Sequence, residues 1–139
     1  MCVCEYKLRN MTSKVVPSVP HNSACHCGAV RIIIAHKPEY INDCNCTLCS
    51  SHGVLWGYYD PAEVSVSGDT HSYTRVDRPE PAVNLHFCGM CGCTTHWTMT
   101  DSFAAKQPDM PPRMGINMRL FGVETVEGVE VRFPNGRAL

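Results

Sequence analysis

Long apolar stretches are missing from this chain. The uninterrupted run Ile32 to Ala35 falls far short of the roughly eighteen residues that a membrane-spanning helix needs, so no membrane segment is expected. Residues Met1 to Thr12 carry Lys7 and Arg9 without a following apolar block and small-residue cleavage site. No secretory leader is expected, and a cytoplasmic location is the default. An excess of one charge is also missing: 12 Lys plus Arg stand against 13 Asp plus Glu, a formal net charge of -1. The basic residues are scattered singly, so neither the positive field nor the basic stripe of a nucleic-acid binder is present. Internal repeats and low-complexity tracts are absent as well. With 44% hydrophobic and 18% charged residues, the composition is that of a folded protein. A chain of 139 residues has room for one domain. The expected division is an irregular N-terminal extension over 1-20 and a single domain over 21-139.

Cysteine is what the chain has in abundance, 10 in all. Content this high means either a disulfide framework or metal and redox chemistry. The spacing separates these. Cys25-x-Cys27, Cys44-x-Cys46-x-x-Cys49 and Cys88-x-x-Cys91-x-Cys93 bring sulfurs together within a few residues, as tetrahedral chelation requires, whereas disulfides usually join distant segments. Zinc is the expected ion. Cys88-Gly-Met-Cys91 has the gap of a redox pair, but the other cysteine groups and the lack of a strand-helix-strand repeat argue against that reading.

Strand signals outnumber helical ones. Ala29 to Ala35 is rich in Val and Ile and follows the turn Cys25-His26-Cys27-Gly28. Tyr40 to Asp43, Val54 to Tyr59, Val64 to Val66 and His71 to Val76 are further strand candidates, with Gly68-Asp69 as a turn. Val83, Leu85 and Phe87 alternate along a strand leading to Cys88, and Thr94 to Thr100 continues beyond the second cysteine pair. One helical turn is expected within Asp101 to Pro112. Met114 to Leu120 alternates as a long strand, and Val129 to Phe133 is the last candidate. About eight short strands favour an all-β domain.

Three motifs in order, Cys25-His26-Cys27-Gly28-Ala29-Val30, Cys44-Asn45-Cys46-Thr47-Leu48-Cys49 and Phe87-Cys88-Gly89-Met90-Cys91-Gly92, resemble the signature of the glutathione-dependent formaldehyde-activating enzyme family. The resemblance runs from about Asn22 to about Phe133, with Gly115-Ile116-Asn117-Met118-Arg119 similar to the family's late strand. It implies a small zinc-stabilised β-tent domain of short antiparallel strands. It also implies two Zn2+ per chain: a structural ion held by Cys25, Cys27, Cys88 and Cys91, and an ion assigned to chemistry held by Cys44, Cys46 and Cys49. The implied activity is a carbon-sulfur lyase reaction on a thiol-formaldehyde adduct such as S-hydroxymethylglutathione. The implied partners are therefore a small thiol such as glutathione and formaldehyde or a related aldehyde. Proteins without established catalysis share the domain.

The residue chemistry agrees with this division. Four thiolates close a tetrahedral site, and the sixty residues between Cys27 and Cys88 make that ion a tie between distant strands. Three sulfurs within six residues leave a fourth position for water or substrate. Such an ion could hold a substrate thiol as thiolate or polarise an aldehyde; three thiolates already surround it with negative charge, which favours the first role.

Other residues stay open. Cys93 could be a fourth ligand of the middle group, a reactive thiol or a buried cysteine, and it stands where the family usually has a small hydroxyl residue. Cys2 and Cys4 could form a further pair or be incidental. His26 and His96 are weaker ligand candidates. His52, three positions after Cys49, is either a solvated loop residue or a catalytic acid-base group. The family often places basic residues after its middle motif, where this chain has Ser50-Ser51-His52, so a cation for the glutathione carboxylates is missing locally. Trp56, Tyr58, Tyr59, Phe87 and Trp97 are candidates for a pocket wall or for the core. A non-catalytic, zinc-stabilised interaction module is the alternative function, and a cleft at the middle cysteine group discriminates between the two.

Overall fold

A computed structural model of the chain describes residues 19–138, so Cys2, Cys4 and nearly all of the expected extension lie outside the described residues. Ten strands form two sheets. β1 (His21–Ala24), β2 (Arg31–Ile34) and β5 (Val64–Ser67) make the smaller sheet, in the order β1-β2-β5. The larger sheet contains β3 (Tyr40–Asn42), β4 (Trp56–Tyr59), β6 (Thr70–Thr74), β7 (Val83–Cys88), β8 (Thr94–Met99), β9 (Met114–Asn117) and β10 (Glu130–Arg132). Its order is β10-β3-β4-β9-β8-β7-β6. Among the described residues three short helices, α1 (Thr47–His52), α2 (Asp101–Lys106) and α3 (Val123–Val126), complete the all-β domain.

Burial explains the two-layer arrangement. β2 alternates, with Ile32 and Ile34 fully buried and Ile33 exposed, and its inner residues pack against Ile41, Tyr59, Met114 and Ile116 of the larger sheet. Each such side chain contributes about 1.5–3 kcal/mol relative to exposure. The other face of the larger sheet carries Trp56 and Leu85, which pack with Leu48 of α1 and with Val54. Tyr58 and Tyr59 thus divide between the faces, as the period of two requires.

The structure departs from the sequence expectations at identifiable places. β10 pairs with β3 in parallel, so the strands are not all antiparallel. The long strand expected over Met114 to Leu120 stops at Asn117, because the Asn117 side-chain oxygen accepts from Leu55 N at 3.3 Å and Arg119 N at 3.2 Å. The chain then makes a 3₁₀ turn over Met118–Leu120. β6 ends at Thr74 instead of Val76, since Arg75 turns to bind Asp77. Between β7 and β8 the register shifts after His86, leaving Thr95 unpaired in the ladder, and Phe87 stacks on His71 outside the apolar clusters. No helix among the described residues is long and apolar enough to cross a membrane.

Candidate metal centre

Two hairpins supply the first sulfur cluster. The β1–β2 turn is closed by Cys25 N to Val30 O at 2.9 Å, and the β7–β8 turn by Cys88 N to Cys93 O at 3.0 Å. Each turn ends its ligand run with a glycine of positive φ, Gly28 at 82° and Gly92 at 78°, a conformation that side chains with a Cβ rarely adopt. The sulfurs are steered by backbone donors: Val30 N lies 3.3 Å from Cys25 Sγ, and Met90 N lies 3.4 Å from Cys88 Sγ. Cys25, Cys27, Cys88 and Cys91 all place their sulfurs within 4.8 Å of one another.

The separations fit a tetrahedral ion. Cys27 Sγ lies 3.6 Å from both Cys25 Sγ and Cys88 Sγ. A disulfide would need about 2.05 Å, whereas tetrahedral Zn–S bonds of about 2.3 Å place sulfurs about 3.8 Å apart. Protonation tells the same story. The Cys93 N–H, followed by that of Cys27, pulls the Cys91 thiol down to about 5. The Ala29 N–H pulls the Cys27 thiol down, but burial and the surrounding sulfurs outweigh it and push that thiol up to about 12. Four thiolates this close repel unless a cation lies among them.

The second cluster sits where β3 passes through α1 into β4. Cys44 follows β3, Cys46 caps α1 by accepting from Cys49 N at 3.3 Å, and Cys49 lies one turn inside the helix. Their three sulfurs also lie within 4.8 Å of one another. Among the described residues no fourth His, Cys, Asp or Glu joins them. Burial pushes the Cys49 thiol up to about 12, with the neighbouring sulfurs adding to it, against the Trp56 indole N–H that donates to Cys49 Sγ at 3.2 Å. Burial also acts upward on Cys46, but the Cys49 N–H and the adjacent sulfurs bring that thiol below its ordinary value.

A cavity of about 460 Å³ opens beside this second cluster. Cys44, Cys46 and Cys49 line it, together with the apolar walls Leu48, Trp56, Val83, Leu85 and Trp97. Tyr58 adds a phenol whose oxygen accepts from Asn42 Nδ2 at 2.7 Å, and burial holds its proton on by pushing the group up. Another depression, of about 560 Å³, is lined by His36, Tyr59 and Arg113 among others and by no cysteine, so it is remote from sulfur chemistry.

Of the candidate pocket residues, Trp56, Tyr58 and Trp97 line the cavity; Tyr59 and Phe87 do not. His52 is placed elsewhere. Its Nδ1 meets Leu48 O at 2.8 Å at the end of α1, its ring stacks on Tyr73, and it lines a separate depression with Thr47 and Asp77. Its ring is turned toward Tyr73, and it is not among the residues lining the cavity beside the three sulfurs. Cys93 packs beside the four-sulfur cluster, not the middle one. His26 is exposed and His96 is buried against His86, and neither belongs to a ligand group.

Sequence reasoning missed the cations and the C-terminal segment. Arg75, whose side chain is 9% exposed, lines the cavity while its guanidinium grips Asp77 through Nε and Nη2, each at 2.7 Å. Asp77 beside it raises the Arg75 guanidinium further, and Arg75 in turn holds the Asp77 carboxyl well below the usual range. Gly136 closes the other side: a Cβ there would stand 2.7 Å from Cys44 Sγ and 2.8 Å from Cys46 Cβ. Arg78 Nη2 donates to Gly136 O at 3.2 Å, and Arg137 Nη2 donates to Ser50 Oγ at 3.3 Å. Apart from the Arg75–Asp77 pair these contacts are long-range, so no short motif carries them.

Two sheets joined at a four-sulfur cluster, with a three-sulfur cluster facing a cleft, define a small β domain of the tent kind whose two cysteine groups could each hold a metal ion. The sequence profile of the glutathione-dependent formaldehyde-activating enzyme family matches residues 20–111, and the chain belongs to that family. A crystal structure of a Rhodobacter sphaeroides protein shares the fold, with a TM-score of 0.54 and 21% identity over 80% of this chain and 99% of that one. No curated protein sequence gives a significant match.

Proposed function

We propose that the chain is a zinc-dependent carbon-sulfur lyase or synthase acting on a thiol-formaldehyde adduct. The observation that carries this reading is the convergence of Cys44, Cys46 and Cys49 on one cavity with no fourth ligand group among the described residues. Cys25, Cys27, Cys88 and Cys91 would hold a structural zinc, and Cys44, Cys46 and Cys49 a second one. The sulfur-rich donor set suits zinc, and eight free cysteines among the described residues suit a reducing compartment such as the cytoplasm. A zinc ion bound at the three sulfurs supplies the positive charge that keeps a substrate thiol ionised near neutral pH.

The chain's own residues supply the rest. The cavity walls Trp56, Trp97 and Leu85 exclude water from the approach of thiol to aldehyde, and confinement lowers the entropic cost of addition. The forward step forms a carbon-sulfur bond, opens the carbonyl double bond and moves the thiol proton to the new hydroxyl oxygen. Tyr58 Oη, fixed by Asn42, is a group in the cavity able to donate a hydrogen bond to that oxygen. No oxidation or reduction is involved, and the reverse step breaks the same bond.

Exchange spectroscopy of formaldehyde with glutathione and other small thiols, corrected for the uncatalysed rate, tests this reading. Zinc-loaded protein is expected to accelerate exchange with at least one thiol, and Tyr58→Phe to slow it by about ten-fold to a hundred-fold. Acceleration of none would favour the interaction-module alternative.

A further inference from the structure

The cavity wall has few polar groups to offer. Trp56 commits its indole N–H to Cys49, Asn42 commits Nδ2 to Tyr58, and Arg75 turns Nε and Nη2 to Asp77 and to Thr47 Oγ1 at 3.3 Å. Trp97 presents its flat ring, lying so close over β9 that a Cβ at Gly115 would stand 2.0 Å from its Nε1. Val83 and Leu85 complete an apolar surface within the same cavity as the three sulfurs. Further positive charge, not committed to a carboxylate, is found at the mouth. Arg78 donates to Gly136 O and Arg137 to Ser50 Oγ, neutral partners only, and neither enters an ion pair among the described residues.

We infer that this site selects a thiol whose sulfur carries a compact apolar body, aromatic or branched, and whose anionic group lies at the mouth, in preference to a peptide thiol such as glutathione. The inference rests on the reading of the cavity as a thiol site and deepens it. A glutathione molecule seated here would press two amides and an ammonium against Trp97, Val83 and Leu85, where unpaired polar groups lose their water without replacement. A phenyl or branched alkyl group in the same place removes apolar surface from water on both sides. A carboxylate on the far side of that group then meets Arg78 or Arg137 at the rim, where a guanidinium can pair with it.

Both tryptophans of the chain line this cavity, so intrinsic fluorescence reports on its occupancy directly. Zinc-loaded full-length protein would be titrated with 4-(mercaptomethyl)benzoate, phenylmethanethiol, 3-mercaptopropionate and glutathione. The aromatic carboxylate thiol is expected to bind about ten-fold or more tightly than each of the other three. In the Arg78→Gln/Arg137→Gln variant it should fall to the level of phenylmethanethiol, whose own affinity stays unchanged. Glutathione binding as tightly as the aromatic carboxylate thiol would overturn the inference, as would an equal loss for both aromatic thiols in a folded variant. Should the variant fail to fold, the ranking on the native protein decides alone. The ranking is read from binding, so a correct ranking without formaldehyde exchange would overturn the lyase reading while still supporting the selection.

Discussion

His96 is 6% exposed on β8, with its ring parallel to that of His86 and 4.4 Å away. Burial, reinforced by the neighbouring imidazole, holds its pKa down to about 4, against an ordinary 6.5. Both rings make neutral contacts, His96 Nδ1 with Thr95 Oγ1 at 2.9 Å and His86 Nε2 with Thr98 Oγ1 at 2.8 Å. Because the unfolded chain takes up the proton first, the stability tied to neutral His96 is complete above about pH 6.5 and is lost as pH falls toward about 4, an effect of about 3 kcal/mol. Urea unfolding of zinc-loaded protein between pH 7 and pH 4 should show it, with steepness over that interval reduced in His96→Leu. Acid release of metal acts on both proteins alike, so the difference between them isolates the histidine. An unchanged slope would mean that the pair is hydrated. The same imidazole looks in sequence like any other histidine, because only the packing of β8 against β7 and β9 brings it into a dry site.

The hairpins were the most legible elements, and the reason is local: a cysteine run followed by glycine fixes its own turn, and Gly28 and Gly92 do so at both ends of the four-sulfur cluster. β2 was legible from its Val and Ile content. β1, with the sequence His-Asn-Ser-Ala, was not, since it becomes a strand through pairing with β2 and through the bond of His21 Nδ1 to Thr125 Oγ1 at 2.8 Å. α1 was invisible for a different reason. Six residues are too few for helical periodicity, and its cap is a cysteine sulfur instead of the usual hydroxyl or carboxylate, although Gly53 at φ 62° after it was a fair stop signal. The family resemblance implied which sulfurs meet, but the cleft wall comes from β4, β7, β8 and the C-terminal segment, which no spacing rule connects. This division of labour predicts how cysteine variants differ. Cys25→Ser or Cys88→Ser breaks a tie between hairpins of different sheets and should abolish folding or lower the melting temperature sharply. Cys44→Ser or Cys49→Ser alters a connection within one sheet and should reduce activity while leaving a cooperative melt. Thermal melts with zinc content on each purified variant would check this, and equal losses of fold would refute the division.

At the scale of the whole molecule, the two sheets share an apolar interface around Ile32, Ile34 and Ile116, and the four-sulfur cluster joins them again at the hairpin ends. The three-sulfur cluster packs against the outer face of the larger sheet and the C-terminal segment at Gly136, beside the open cavity. Its ligands come from one connection of six residues, Cys44 to Cys49, so losing a metal there releases no long loop. Losing it from the other cluster frees a loop of about sixty residues between Cys27 and Cys88, with a correspondingly larger gain in chain entropy. Access differs in the same sense, since a chelator reaches the three sulfurs through the cleft while the four-sulfur set offers no open ligand position. Chelation should therefore proceed in two stages. Tryptophan fluorescence should change first, with one equivalent of metal released, because Trp56 donates directly to Cys49 Sγ and Trp97 lines the same cavity. Far-ultraviolet circular dichroism should hold steady through that stage and collapse only with the second equivalent. Exchange activity should vanish with the first. Simultaneous loss of both signals at every chelator concentration would mean that the clusters are coupled through the larger sheet, and that the cleft owes its shape to the same ion that holds the sheets together.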